Sequence, residues 1–187
     1  MVALRQWWST LRQTDVRDLE PRKRFAARLS VTVLATIAAG SAFGSNWSQS
    51  HRLIWNESNS LPDRIFYADS TIPLTRGGYI AFVPRRDAIV VAHFGKAPVP
   101  FVKRIYGVAG DVVSHDAGHY VVVNGTRIAR LKPFTYFHEA LLPGPVGRVP
   151  PGCYFAGSPH PDGFDSRYQS IGWVCQKDIL GGARALL

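Results

Sequence analysis

Hydrophobic and polar positions are laid out in two different ways along this chain. Residues 29–50 carry no charged side chain, and their centre, LSVTVLATIAAGSAFG, is apolar with small residues interspersed. From residue 60 onward the apolar positions fall in short β-branched and aromatic runs: IFYAD, GYIAFV, AIVVAHF, FVKRIYGV, DVVSH, YVVVNG, CYFAG and WVCQ. Turn formers separate them, at Gly77-Gly78, Pro84, Gly110-Asp111, Asn124-Gly125 and Pro150-Pro151-Gly152. Runs of this length bounded by turn residues predict strands. Asn124-Gly125 after YVVV predicts a two-residue hairpin with a type I′ turn. Helix is expected in the uncharged segment, in part of residues 2–20, and weakly near 134–142. The pattern predicts a mainly β domain, a curled sheet or barrel, behind one N-terminal helix.

The uncharged run is 22 residues long, which matches the roughly 20 residues a helix needs to span a bilayer. Arg22, Lys23, Arg24 and Arg28 precede it, and Trp47 and Trp55 follow where an aromatic belt would sit. A cleavable signal peptide would need an unusually long basic leader, and no clean A-x-A site follows. A buried soluble helix fits poorly with the basic cluster. The expected organisation is a cytoplasmic basic leader over 1–28, a transmembrane helix over 29–46, and an extracytoplasmic β-rich domain over 47–187. The positive-inside rule gives this orientation, single-pass in the cytoplasmic membrane with the domain on the outer, periplasmic side.

Composition narrows the class. Of 187 residues, 46% are hydrophobic, 12% aromatic and only 19% charged, which excludes a disordered chain. Two cysteines are too few for a disulfide-dense scaffold or a four-thiolate zinc site. The net charge is +9, of which residues 1–28 hold +4. A basic balance suits a nucleic acid or an anionic lipid surface, but no helix-turn-helix, zinc-finger or RNA-binding pattern is present, so a nucleic-acid partner is not expected. Cys153 and Cys175 flank the 21 residues 154–174. In an oxidising compartment they can pair; two separate buried thiols are the other reading.

Chemistry is sought among polar residues in rigid places. The six histidines show no H-E-x-x-H spacing, no C-x-x-C exists, and G-x-S-x-G is absent, so neither a metal nor a Ser-His-Asp elbow is expected. In FVKRIY, alternation puts Lys103 on one face between Phe101 and Ile105. An ammonium there either snorkels to water or loses its proton, and a neutral lysine can serve as a general base. In NESNSLPDRIFY, Pro62 forces Leu61 out of the helical region, giving a stiff turn that can present the Ser60 hydroxyl, with Ser58 two residues earlier. An ordinary polar loop is the plainer reading. In GFDSRYQSIGWV, Asp165 and Arg167 flank Ser166, and the pair either braces a site wall or staples a loop.

These segments, in this order, resemble the membrane-bound type I signal peptidases, and most of all the TraF-type branch associated with conjugative transfer. SNSLPDRIFY, GGYIAFV, FVKRIYGVAGDVV, YVVVNG, RVPPGCYFAG, DSRYQSIGWV and ILGGARALL carry the likeness over residues 55–187. The resemblance implies a signal-peptidase-like β-fold with a Ser/Lys dyad and no metal or cofactor. Ser60 matches the nucleophile, Lys103 the general base, and Ser58 the hydroxyl that completes the oxyanion hole. Asp165, Ser166 and Arg167 match the supporting box. The implied partners are membrane lipid and an exported precursor, a pilin or a signal-peptide-bearing protein. Two departures stand out. The family's G-D-N reads Gly157-Ser158-Pro159 here, and a serine that often orients the lysine is Gly163. A water or Ser166 is expected in that serine's place. A non-catalytic scaffold of a secretion or pilus apparatus is the rival from another class. A self-cleaving repressor is a further one, against which the missing DNA-binding module counts.

Overall fold

The computed structural model describes residues 21–97 and 99–187. The helix expected within 2–20 and most of the leader lie outside them. The contacts divide the chain after Ser48, and each part is described by itself.

Helix α1 (Pro21–Ser50) contains the uncharged run. Proline is tolerated in a first turn because its missing N–H would have no partner there. Side chains of α1 are described for Ala26 and residues 28–41, all of them exposed. Ser30, Thr32 and Thr36 donate their hydroxyls to carbonyls four residues back, and Ser41 to one three back. Among the described residues, no helix is long and apolar enough to cross a membrane.

The unit Gln49–Leu187 is built from two antiparallel sheets. The larger takes β1 (His51–Trp55), β2 (Ile65–Asp69), β3 (Tyr79–Phe82), β4 (Phe101–Gly107), β9 (Cys153–Gly157), β10 (Val174–Cys175) and β11 (Ile179–Ala185), in the spatial order β1-β2-β11-β3-β4-β9-β10. The smaller takes β5 (Val112–His115), β6 (Tyr120–Val123), β7 (Thr126–Arg130) and β8 (Gly147–Arg148), in the order β7-β6-β5-β8. Both orders end in edge strands, so the domain is a pair of open sheets. The β6–β7 turn has φ of +48° at Asn124 and +81° at Gly125, the two positive values a type I′ turn requires.

Three apolar clusters hold the sheets. One joins Ile80, Phe82, Val90, Phe101, Ile105 and Ala156; a second joins Ile54, Leu61, Phe66, Ala81 and Val102; a third packs Val113, Val121 and Val123 of the small sheet with Val149 and with Phe155 of β9. Alternation along β4 sends Phe101 and Ile105 into the first cluster and Val102 into the second. Lys103, between Phe101 and Ile105, is thereby committed to the first face, opposite Ile80 of β3.

Two expectations are corrected. AIVVAHF is helix α2 (Ala88–Phe94), not a strand: the Asp87 side chain accepts from the Ile89 N–H at 2.9 Å, and Gly95, with φ +82°, donates its N–H to Val91 O. Caps at both ends outweigh the β propensity of Ile89, Val90 and Val91. Residues 134–142 form no helix. The Thr135 hydroxyl accepts from the N–H groups of Phe137 and Glu139, and Phe134 makes a β-bridge to Ala140. A side chain that offers the backbone such partners competes with helical bonding.

Candidate active site

The segment between β1 and β2 is closed before it reaches any partner. Asn56 N–H donates to Arg64 O, Asn56 Nδ2 donates to Asp63 O, and Asn56 Oδ1 accepts from both the N–H and the hydroxyl of Ser58. Beyond it the C-terminal residue reinforces the base of the loop, Leu187 O accepting from Arg64 and Ile65 N–H. Leu61 is buried in the second cluster. With Leu61 anchored and Pro62 restricting the backbone, the preceding Ser60 is held in place and is itself buried.

Ser60 Oγ lies 2.9 Å from Lys103 Nζ and 2.7 Å from Ser58 Oγ. The Ser58 hydroxyl also accepts, at 3.4 Å, from the Ser60 N–H. Ser58, Ser60 and Lys103, predicted as a set from the sequence, are therefore one hydrogen-bonded cluster. Lys103 is 5% exposed. Burial pushes its pKa below the ordinary lysine value; the Asp165 carboxylate acts against that shift and the Arg167 guanidinium acts with it. A buried amine that yields its proton readily, at hydrogen-bonding distance from a hydroxyl, can accept the hydroxyl proton.

Asp165, Ser166 and Arg167 are all buried. Asp165 and Arg167 bond to each other and to Ser158, Ser166 bonds to Ala156, and none of the three has a hydrogen bond to Lys103 or Ser60. Arg167 reaches Asp165 through Nε and Nη2, each at 2.8 Å. Ser166 Oγ accepts from Ala156 N–H at 3.1 Å, so it ties the box to β9. It is not the group that orients Lys103 in place of the serine missing at Gly163. Asp165 and Arg167 act on the lysine through their charges.

Cys153 and Cys175 face each other across β9 and β10 and are joined as a disulfide. The bridge closes the loop that carries the box.

Two site residues escaped the sequence reading. Asn56 had a local signal: an Asn two residues before a residue whose N–H it caps is an Asx turn. Ser158 showed only as a departure from the family's G-D-N, since its complete burial is created by the fold.

Among solved structures, a signal peptidase I from Enterococcus faecalis V583 matches with a TM-score of 0.38 and 22% identity, covering 63% of this chain and 100% of that one. The comparison with curated proteins gives no match. The sequence model of the family described as "Signal peptidase, peptidase S26" matches residues 25–187. That span takes in the serine, the lysine, the buried Asp165–Arg167 pair and the disulfide-closed loop, and by it the chain belongs to the signal peptidase family, peptidase S26.

Proposed function

We propose that this protein is a membrane-anchored serine endopeptidase that processes exported precursors by a Ser/Lys acyl-enzyme mechanism. Membership of peptidase S26 implies serine-type peptidase activity, and the signal peptidase family acts on exported precursors that carry signal peptides. The observation that carries the finer reading is the 2.9 Å contact between the Ser60 hydroxyl and the buried Lys103 amine.

In this reading, neutral Lys103 takes the proton from Ser60 Oγ as that oxygen attacks the scissile carbonyl. The Ser60 N–H and the Ser58 hydroxyl stabilise the oxyanion. The Ser60 N–H now donates to the Ser58 hydroxyl, which itself donates to Asn56 Oδ1, so the Ser58 hydroxyl must turn from Asn56 Oδ1 to the substrate oxygen. Protonated Lys103 gives its proton to the leaving amine, and the acyl-enzyme is then opened by a second nucleophile. Water gives cleavage; the substrate's own amino terminus gives cyclisation.

The anchor is proposed over residues 29–46. Its support is the uncharged run behind a basic cluster and the way Ser30, Thr32, Thr36 and Ser41 return their hydroxyls to the helix backbone, which leaves them without need of water. The catalytic domain then lies on the periplasmic side. The proposed substrate is a pilin or signal-peptide-bearing protein of a conjugative transfer system, a choice that rests on the TraF-type wording of the sequence.

The test is mass spectrometry of such a precursor incubated with the purified full-length protein. Two fragments together heavier than the precursor by one water are the result expected for cleavage. A cyclised product is lighter by one water than the linear peptide of the same sequence. Ser60→Ala should give neither. Precursor maturation and apparatus assembly that persist unchanged with Ser60→Ala would favour the scaffold instead.

A further inference from the structure

Ser158 is completely buried beside the Asp165–Arg167 pair, and the mechanism gives it no task. We propose that Ser158 is a positioning residue which, with the side-chain-free Gly163, keeps the Asp165 carboxylate turned onto Arg167 and away from Lys103. The proposal rests on the reading of Lys103 as the general base.

The bonding of Asp165 carries it. Asp165 Oδ1 accepts from Arg167 N–H at 3.2 Å and Arg167 Nε at 2.8 Å. Asp165 Oδ2 accepts from Arg167 Nη2 at 2.8 Å, Ser158 N–H at 2.9 Å and the Ser158 hydroxyl at 3.2 Å. A carboxylate offers about four lone-pair sites, so these donors leave it nothing to offer an amine. Ser158 also holds the other side of the pair, since its carbonyl accepts from Arg167 Nη2 at 2.6 Å.

Gly163 is the second half of the device. A Cβ at 163 would lie 2.1 Å from Ser158 Oγ, 2.7 Å from Arg167 Nη2 and 2.9 Å from Asp165 Oδ2. A side chain at 163 and the hydroxyl at 158 therefore exclude each other. The sequence's two departures from the family pattern, Ser158 and Gly163, are neighbours in space: 163 must be bare to admit the Ser158 hydroxyl and the Asp165–Arg167 pair beside it.

The consequence falls on Lys103. The charged groups that act on it are Asp165 and Arg167. Its own strand offers Phe101 and Ile105, β3 offers Ile80, and the β1–β2 segment offers Ser60. Closed on each other, the carboxylate and guanidinium oppose one another at the amine. Without the Ser158 hydroxyl, Asp165 Oδ2 keeps two donors, Arg167 Nη2 and the Ser158 N–H, in place of three, and the more loosely held carboxylate can lean toward Lys103, where an opposite charge favours the protonated lysine, which is useless as a base.

The test is the titration of Lys103 in the full-length protein, read by NMR of lysines labelled at Cε and assigned by the signal lost in Lys103→Arg. Ser158→Ala should raise the Lys103 midpoint by about one pH unit. Adding Asp165→Asn to Ser158→Ala should abolish the rise. Should Ser158→Ala not fold, Ser158→Cys, which keeps the shape with a weaker donor, carries the same comparison. An unchanged midpoint in the folded variant overturns the proposal, as does a rise that persists in full when Asp165→Asn is added. The titration reads the lysine and not cleavage, so the peptidase reading fails separately, on precursor processing retained by Ser60→Ala.

Discussion

Lys103 shows what a single buried amine costs and what it gains. Phe101, Ile105 and Ile80 remove its water, and among the described residues its hydrogen-bond partner is the Ser60 hydroxyl. Desolvation is the largest influence on its pKa and lowers it. The sign for stability follows by linkage. Below the folded-state pKa both folded and unfolded chains hold the proton, and the folded chain bears the whole cost of a buried ammonium. Above the unfolded value of about 10.4 neither chain holds it, and the cost is gone. Lys103→Met should therefore stabilise the domain by about 1–3 kcal/mol at pH 6, and the gain should shrink as pH rises toward 10. Thermal unfolding of both proteins across that range checks this; a gain that grows with pH would contradict it. That Lys103 would sit between large apolar residues was legible in FVKRIY from alternation alone. That its amine meets a hydroxyl 43 residues away was not, because no local spacing encodes a contact between two loops' worth of separate chain. The family wording, not the periodicity, paired the two.

Elements whose information is local were the ones the sequence disclosed. IFYAD, YIAF, FVKRIYG, VVSH, YVVV and CYFAG are strands, and Asn124-Gly125 makes the expected turn. AIVVAHF misled because two cap residues outside the apolar run decide its conformation. Strand β11 was hidden for another reason. ILGGARA is not among the predicted strands, and a Cβ at Gly181 would lie 2.3 Å from Asp69 O and one at Gly182 2.6 Å from Ile72. Those glycines are there for close approach to the β2 end of the chain, a requirement only the assembled sheet reveals. The connection from β4 to β5 turns on Asp111, which accepts from Arg76 Nη2, Val108 N–H and Asn124 Nδ2. These donors, Arg76 foremost, lower its pKa to about 2. A depressed carboxylate stabilises the fold above its unfolded pKa, and the contribution is lost as pH falls through the folded value. Asp111→Asn should thus cost about 1–3 kcal/mol at pH 6 and next to nothing near pH 2. Denaturant unfolding at the two pH values measures the difference; equal losses at both would contradict the assignment.

At the scale of the whole molecule, the site depends on long-range closure. The β1–β2 segment is tied to the last residue of the chain, and the loop that carries Asp165 and Arg167 is closed by Cys153–Cys175. A bridge over 22 residues should contribute about 3 kcal/mol. Replacing both cysteines by alanine should lower the melting temperature by several degrees, and reductant should do the same to the parent; insensitivity to both would contradict a structural role. The central claim is that Ser60 and Lys103 act as one catalytic unit on a polypeptide. Residues that act as a unit lose activity non-additively. The most direct measurement is kcat/KM on one precursor peptide, across pH, for the parent, Ser60→Ala, Lys103→Arg and the Ser60→Ala/Lys103→Arg pair. The account expects parental activity to rise with pH as the amine loses its proton, and each single variant to fall on the order of 10⁴-fold or more, with no further loss in the pair. Arginine fails in this role because its guanidinium stays protonated. A Lys103→Arg enzyme with near-normal turnover would contradict the account.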